Sequence, residues 1–333
     1  MAGRERRPDG GGWRVWTRRP GAGPRGRVLA ALAVAVAALT ALHRFVPNAG
    51  LRLGSLLENL LPWSGAAVVL LALCALLRRA RGALVALLLP AVVWAVHFGP
   101  LLLPGGPAGA RELLVAQHNV ADDNPDPAGT ARALSAANAD LVALEELVEP
   151  ALGTYREALA SRYPYHAVHG TVGLWSRYPI TGHRPVDIKP RDVTEPWLRA
   201  LRAVVRAPHG ETVVYVAHLP SVRVGPGGLA SARRDESAAR LGALLAAEEA
   251  DRLVLAGDLN GTVDDRGLAP LTSRLAVPER GFALSYPAAL PVARIDQVFA
   301  GGGTVPRVRT LPATGSDHLP VLAGIAWTGP AGR

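Results

Sequence analysis

A chain of 333 residues that is 49% hydrophobic and carries a formal net charge of +9 has room for one large domain or two small ones, and is apolar for an ordinary soluble protein. The charge is uneven: residues 1–110 hold 13 Lys+Arg against 3 Asp+Glu, leaving 23 against 24 in the rest, so the basicity is not the footprint of a nucleic-acid partner. The single cysteine, Cys74, excludes an intrachain disulfide and a cysteine metal site.

In chain order, residues 1–27 are rich in Gly, Pro and Arg without hydrophobic periodicity and read as a disordered basic cytoplasmic tail. Three apolar runs follow at 28–46, 60–77 and 82–103, each about the length that crosses a bilayer core. Eight arginines precede the first run, and Arg78, Arg79 and Arg81 separate the second from the third. By the positive-inside rule the N-terminus is cytoplasmic, and three crossings put everything after a 104–110 linker outside the cytoplasm. His43, Arg44 and His97 lie near span ends, where snorkelling explains them.

From residue 111 to 327 short strands alternate with helices, and 328–333 is a tail. Strands are predicted at 112–120, 140–145, 165–169, 172–175, 183–188, 198–207, 212–218, 253–258, 295–299, 305–311 and 320–327. Helices are predicted at 127–138, 150–162, 231–247 with Ser231 as N-cap, and 265–275. The expected fold is α/β, a four-layer sandwich of two packed mixed β-sheets flanked by helices.

The chemistry centres on LVLAGDLN, residues 253–260, which reads as a buried strand delivering Asp258 and Asn260 to its tip. A carboxylate there needs a cation, a donor or water. Candidate partners close other apolar runs: Asn119 in LVAQHNV, Glu145 in LVALEE, His218 in VVYVAHLP, Asp296 in RIDQVF, and Asp317 with His318 in SDHLP. Taken singly, each has a structural alternative. Arg199 and Arg202 are weaker candidates for holding a phosphate oxygen. Tyr163, His166 and Arg177 read as packing or turn residues, and Asp122, Asp123, Asn124 and Asp126 as a turn with a helix N-cap.

In this order the motifs resemble those of the endonuclease/exonuclease/phosphatase superfamily, the DNase I-like fold. The resemblance implies Mg2+-dependent cleavage of phosphoester or phosphoanhydride bonds, with Mn2+ as the alternative ion. It implies Glu145 as principal metal ligand with Asn119 beside it, and Asp317 supporting that metal or binding a second one. Asp258 would orient or deprotonate water, and Asn260 would donate to phosphoryl oxygens. His318 would pair with Asp296, and His218 would contact the transferring group. Three spans followed by such a domain also resemble the VanJ-type teicoplanin-resistance membrane proteins of actinobacteria. That resemblance implies a lipid-linked phosphate or pyrophosphate substrate, such as undecaprenyl pyrophosphate, membrane lipid as a partner, and a role in glycopeptide resistance. The alternatives are a membrane-tethered nuclease or phosphodiesterase, including a sphingomyelinase-like phospholipase, and an inactive envelope scaffold.

Overall fold

Apolar helices come first and an alternating sandwich follows, in a computed structural model that describes residues 24–104 and 112–328. The predicted tail over 1–23, the linker over 105–110 and the last residues, 329–333, lie outside the described residues. The helices are α1 (Pro24–Ala41), α2 (Leu53–Asn59), α3 (Ser64–Leu77), α4 (Arg81–Ala86) and α5 (Leu88–Leu102). The sandwich continues with β1 (Glu112–Asn119), α6 (Pro127–Ala136), β2 (Leu141–Glu145), α7 (Ala151–Ala160), β3 (Tyr165–His169) and β4 (Val172–Ser176). Next come β5 (Ile180–Pro185), β6 (Ala200–Ala207), β7 (Gly210–Ala217), the small hairpin β8 (Val224–Gly225) and β9 (Gly228–Leu229), and α8 (Ala232–Ala246). β10 (Leu253–Asp258), α9 (Ala269–Thr272), β11 (Asp296–Gly301), β12 (Gly303–Thr310) and β13 (Val321–Trp327) complete it.

Among the described residues one mixed sheet runs β12-β13-β1-β2-β4-β3 and the other β11-β10-β7-β6-β5. Their facing sides share one core, in which Val115, Ala143 and Val321 belong with Val214, Val254 and Val298, through the alternation expected of strands with two distinct faces. α6 and α7 cover the outer face of the first sheet through Leu134, Tyr155 and Trp175, and α8 and α9 cover the second through Leu241, Leu271 and Phe299. The result is the four-layer order helix, sheet, sheet, helix.

Most predicted elements match within a residue or two, and the differences have local causes. The strand expected at 183–188 is β5 at Ile180–Pro185. Val186 and Ile188 are buried beyond its end, where burial alone imitates a strand's alternation. Ser231 occupies the N-cap position of α8 without capping it, because its hydroxyl donates to Asp235 and accepts from Arg52. Asp126 does cap α6, accepting from Gly129 N at 2.8 Å.

The three straight spans require correction. Arg81–Leu102 is long and apolar enough to cross a membrane, whereas Leu53–Asn59 and Leu61–Leu77 form a pair bent by 66° and Gly26–Ala41 is shorter. The break falls at Leu60, and Pro62 lies in the first turn after it, where a missing backbone donor is tolerated. Residues 24–27, expected in the tail, begin α1, and residues 42–46, expected in the first span, include a 3-10 turn at His43–Phe45.

His43 and His97, near these helix ends, do not snorkel. His43 Nδ1 lies 3.1 Å from the buried Glu58, and His97 Nε2 lies 3.2 Å from Asp264. Glu58 also receives Arg266 N, Nε and Nη2 at 2.8–3.1 Å. The helical segment is thereby pinned to the 262–266 loop of the sandwich.

Candidate active site

The site is the polar end of the inter-sheet core. On β1 the inward positions Leu113 and Val115 are followed by Gln117 and Asn119; on β2, Leu141 and Ala143 by Glu145; on β10, Val254 and Ala256 by Asp258. Val214 and Val216 of β7 lead in the same way to His218, and Asp296 opens β11 opposite Asp258. A period of two residues therefore carries each of these positions to one end of the sandwich. There a pocket of about 420 Å³ is lined by Asn119, Glu146, Asp258, Asn260, Asp317 and His318, among others.

Asp296 organises the proton chemistry. Its Oδ2 accepts from Ser285 Oγ at 2.6 Å and lies 2.8 Å from His318 Nδ1, while its Oδ1 accepts from Gln117 Nε2 at 3.0 Å. Burial opposes ionisation of Asp296, but the His318 charge and these donors outweigh it and hold its pKa below the ordinary value. Burial likewise opposes the His318 charge, and Asp296 overrides it, raising His318 to about 10. His318 is therefore an imidazolium at neutral pH, with Nε2 3.8 Å from Asp258.

Asp258 has the opposite balance. Burial raises its pKa to about 7 against the His318 charge, with Asp296 adding to the rise. Its Oδ2 accepts from Asn119 Nδ2 at 3.1 Å, and its Oδ1 from Asn260 N at 3.0 Å. A buried carboxylate poised near neutrality, beside an imidazolium, suits proton transfer. His218 lies 3.7 Å from Asp258 and 3.8 Å from Glu146. Burial, reinforced by the Arg199 and His318 charges, lowers His218 to about 3, so these approaches are not ion pairs. Among the described residues neither ring nitrogen of His218 has a hydrogen-bond partner, but the ring is buried and does not line the pocket, so contact with a phosphoryl oxygen would require it to be uncovered. Asn260 Nδ2 is engaged with Leu219 O at 3.0 Å, so its donor role would require that bond to be exchanged.

Glu145 and Glu146 divide differently from the sequence reading. Glu145 is fully buried between the sheets and accepts from Gln117 at 2.8 Å; burial first, then Asp296 and Asp258, raise its pKa well above the ordinary value. It does not line the pocket. Glu146, whose φ of 60° turns the chain out of the strand, does line it and accepts from Asn119 Nδ2 at 3.0 Å. Glu146→Gln is expected to raise the divalent-metal concentration for half-maximal activity by about 10-fold or more. Glu145→Gln, which replaces a buried carboxyl outside the pocket by an amide of similar shape, should shift it by less than about twofold, and metal titration of both variants checks this.

The donor set fits a hard divalent cation. Glu146, Asp258 and Asp317 face one pocket, and among the described residues none of them has a lysine or arginine ion-pair partner. Such oxygen donors with room for water are what Mg2+ takes. Asp258, Asp296 and His318 also bring ligand atoms within 4.8 Å of one another. Because Asp296 is committed to His318, Ser285 and Gln117, the set of Glu146, Asn119, Asp317 and Asp258 is the better match. The cation would offset charge on the phosphoryl oxygens, while this chain's side chains move the proton and orient the substrate.

The remaining candidates separate cleanly. Arg202 turns outward to Glu248, with Nε–Oε2 at 2.7 Å. Arg199 stacks on Trp197 at 4.2 Å and lines an adjoining cleft. Tyr163 is buried, His166 stacks on Trp175, and Arg177 reaches Asp140. Site residues without a role in the sequence reading are Gln117, Glu146, Ser285 and Ser316, whose Oγ donates to Asn119 O at 2.7 Å and accepts from His318 N. The second Glu of LVALEE was the one visible signal.

Fold and site together describe a phosphoester hydrolase. The Endonuclease/Exonuclease/phosphatase family model matches residues 116–318, and the chain belongs to that family, whose members hydrolyse phosphoester bonds and depend on a divalent metal. No curated protein matches the chain. Among solved structures, it resembles an endonuclease/exonuclease/phosphatase from Beutenbergia cavernae DSM 12333 (21% identity, 66% of this chain and 72% of that one, TM-score 0.52). It also resembles sphingomyelinase C from Streptomyces griseocarneus (22% identity, 64% and 99%, TM-score 0.50). A third is D. rerio TDP2 complexed with single-strand DNA product (16% identity, 64% and 98%, TM-score 0.51).

Proposed function

We propose that the protein is a membrane-anchored, Mg2+-dependent phosphohydrolase that acts outside the cytoplasm on a lipid-linked phosphate or pyrophosphate, such as undecaprenyl pyrophosphate, and contributes to glycopeptide resistance. The observation that carries this reading is the apolar surface of the helices that follow α2, which among the described residues nothing covers: Leu70, Leu73 and Leu77 on α3, and Leu88, Val92 and Val96 on α5, are all exposed. Contiguous apolar surface of this kind mixes poorly with water and well with lipid. The near-zero charge of residues 111–333 supports a lipid substrate over nucleic acid.

The test is phosphate release from undecaprenyl pyrophosphate by the full chain with Mg2+, abolished by chelation and restored by Mg2+ or Mn2+. No release above an Asp258→Ala control overturns it. Likeness to sphingomyelinase C favours a second reading, a phospholipid phosphodiesterase, so the same panel includes sphingomyelin vesicles and plasmid DNA. A reporter fused after Arg333 that works only outside the cytoplasm tests the orientation; silence there removes the extracytoplasmic assignment.

A further inference from the structure

We propose that α2 and the β8–β9 hairpin form a binding wall for the hydrocarbon chain of the substrate, which makes the N-terminal segment part of the active site. This deepens, and rests on, the lipid-phosphate reading above. The family match begins at residue 116, so α2 is an addition to the catalytic domain rather than a part of it.

α2 presents two faces. Ser55 and Glu58 are buried, Ser55 bonded to Asn48 and Glu58 held by Arg266 of the sandwich. Leu56, Asn59 and Leu60, at the three- and four-residue spacing of one helical face, line the pocket that also contains Asp258 and His318. The hairpin and the residues leading into it supply the adjoining wall through Val222, Val224 and Leu229. The hairpin is fitted closely to the segment before α2: Leu229 N donates to Leu51 O at 3.0 Å, and Gly228, with φ of 88°, approaches so closely that a Cβ there would lie 2.1 Å from Leu51 O. Arg52 fastens the same corner to Asp235 and Ser231.

The polarity of the pocket changes along its length. Asn119, Asp258 and His318 form a polar floor that suits a phosphoryl group, whereas Leu60 and Val224 are exposed at the apolar side. Leu53, which opens α2, and Trp63, just before α3, are exposed as well. A phosphate on the floor would therefore lay its carbon chain along Leu56 and Leu60 toward that apolar side. Each methylene moved from water onto such a wall strengthens binding by about fourfold.

Butyl phosphate and decyl phosphate, below micelle-forming concentrations, would be given to the full chain in detergent with Mg2+. Wild type should favour the decyl ester in kcat/KM, and Leu56→Asn with Leu60→Asn should cut that decyl-to-butyl ratio by about 10-fold or more. Leu56→Met with Leu60→Met, which keeps an apolar wall of similar volume, should retain it. An unchanged ratio in the double Asn variant, or equal loss for both esters, overturns the wall. Undecaprenyl pyrophosphate hydrolysis with an unchanged ratio leaves the functional reading standing without the wall. Conversely, if no lipid phosphate is hydrolysed, a leucine-dependent decyl preference in calorimetric Kd supports the wall and removes the functional reading.

Discussion

His318→Ala is expected to lower kcat by about 10²–10⁴-fold, the usual cost of losing a positioned proton donor or acceptor. The residue is buried, charged and 2.8 Å from Asp296, so its state depends on that carboxylate. Asp296→Asn removes the group that raises His318 to about 10, leaving burial to favour the neutral ring. If the imidazolium serves as the proton donor, wild-type activity should fall as pH rises through about 10. In Asp296→Asn the same fall should come well below that. The acid limb belongs to Asp258, whose ionised form is lost as pH falls through about 7, or lower when a cation is bound. The limbs report the coupled set rather than single residues. Because the two side chains act as one unit, the double variant should be little worse than His318→Ala alone. An alkaline limb that stays in place in Asp296→Asn would remove this pair from the proton chemistry, and pH–rate profiles of the single and double variants read the result.

Much of this site was legible because it extends a pattern that was legible for another reason. The alternation that builds the inter-sheet core also aims Asn119, His218, Asp258 and Asp296 at one end, so reading the strands located the site. The same pattern pointed to Glu145, whereas the residue that lines the pocket is Glu146. Glu145 is in register with the inward face, but the left-handed turn at Glu146 presents the next residue to the pocket, and a turn of one residue leaves no periodic trace. Asp317 and His318 were visible as a motif, although their placement depends on Ser316 holding the chain to Asn119.

The helical segment was harder for a different reason. Apolar runs were plain, but α2 falls between two of them, and Glu58 and Asn59, which bind the sandwich, leave no periodic trace. Their partners, Thr262, Asp265 and Arg266, lie some two hundred residues away. The β8–β9 hairpin, set in a Gly- and Pro-rich stretch, had no alternation to reveal it.

Arg234→Met is expected to destabilise the protein by about 3–5 kcal/mol, because it leaves a buried charge unpaired. Both side chains of the Arg234–Asp265 pair are 0% exposed, with Nη2–Oδ2 at 2.6 Å. Asp265 would keep Asn59 Nδ2 and the Gly267 amide as donors, which favours the lower part of that range. The effect should not remain local. Arg234 Nη1 also donates to Asn260 O at 3.0 Å, so it joins the catalytic loop to the same carboxylate that holds α2 through Asn59. Loss of activity and faster amide exchange over 53–63 should therefore accompany the fall in denaturant midpoint. Adding Asp265→Leu removes the stranded charge and should recover part of the stability, because it also takes the acceptor from Asn59 Nδ2 and the Gly267 amide. It cannot restore the donor to Asn260, so activity should stay low while the midpoint recovers. Recovery of both together would mean that Arg234 acts only through stability and has no part in positioning the loop.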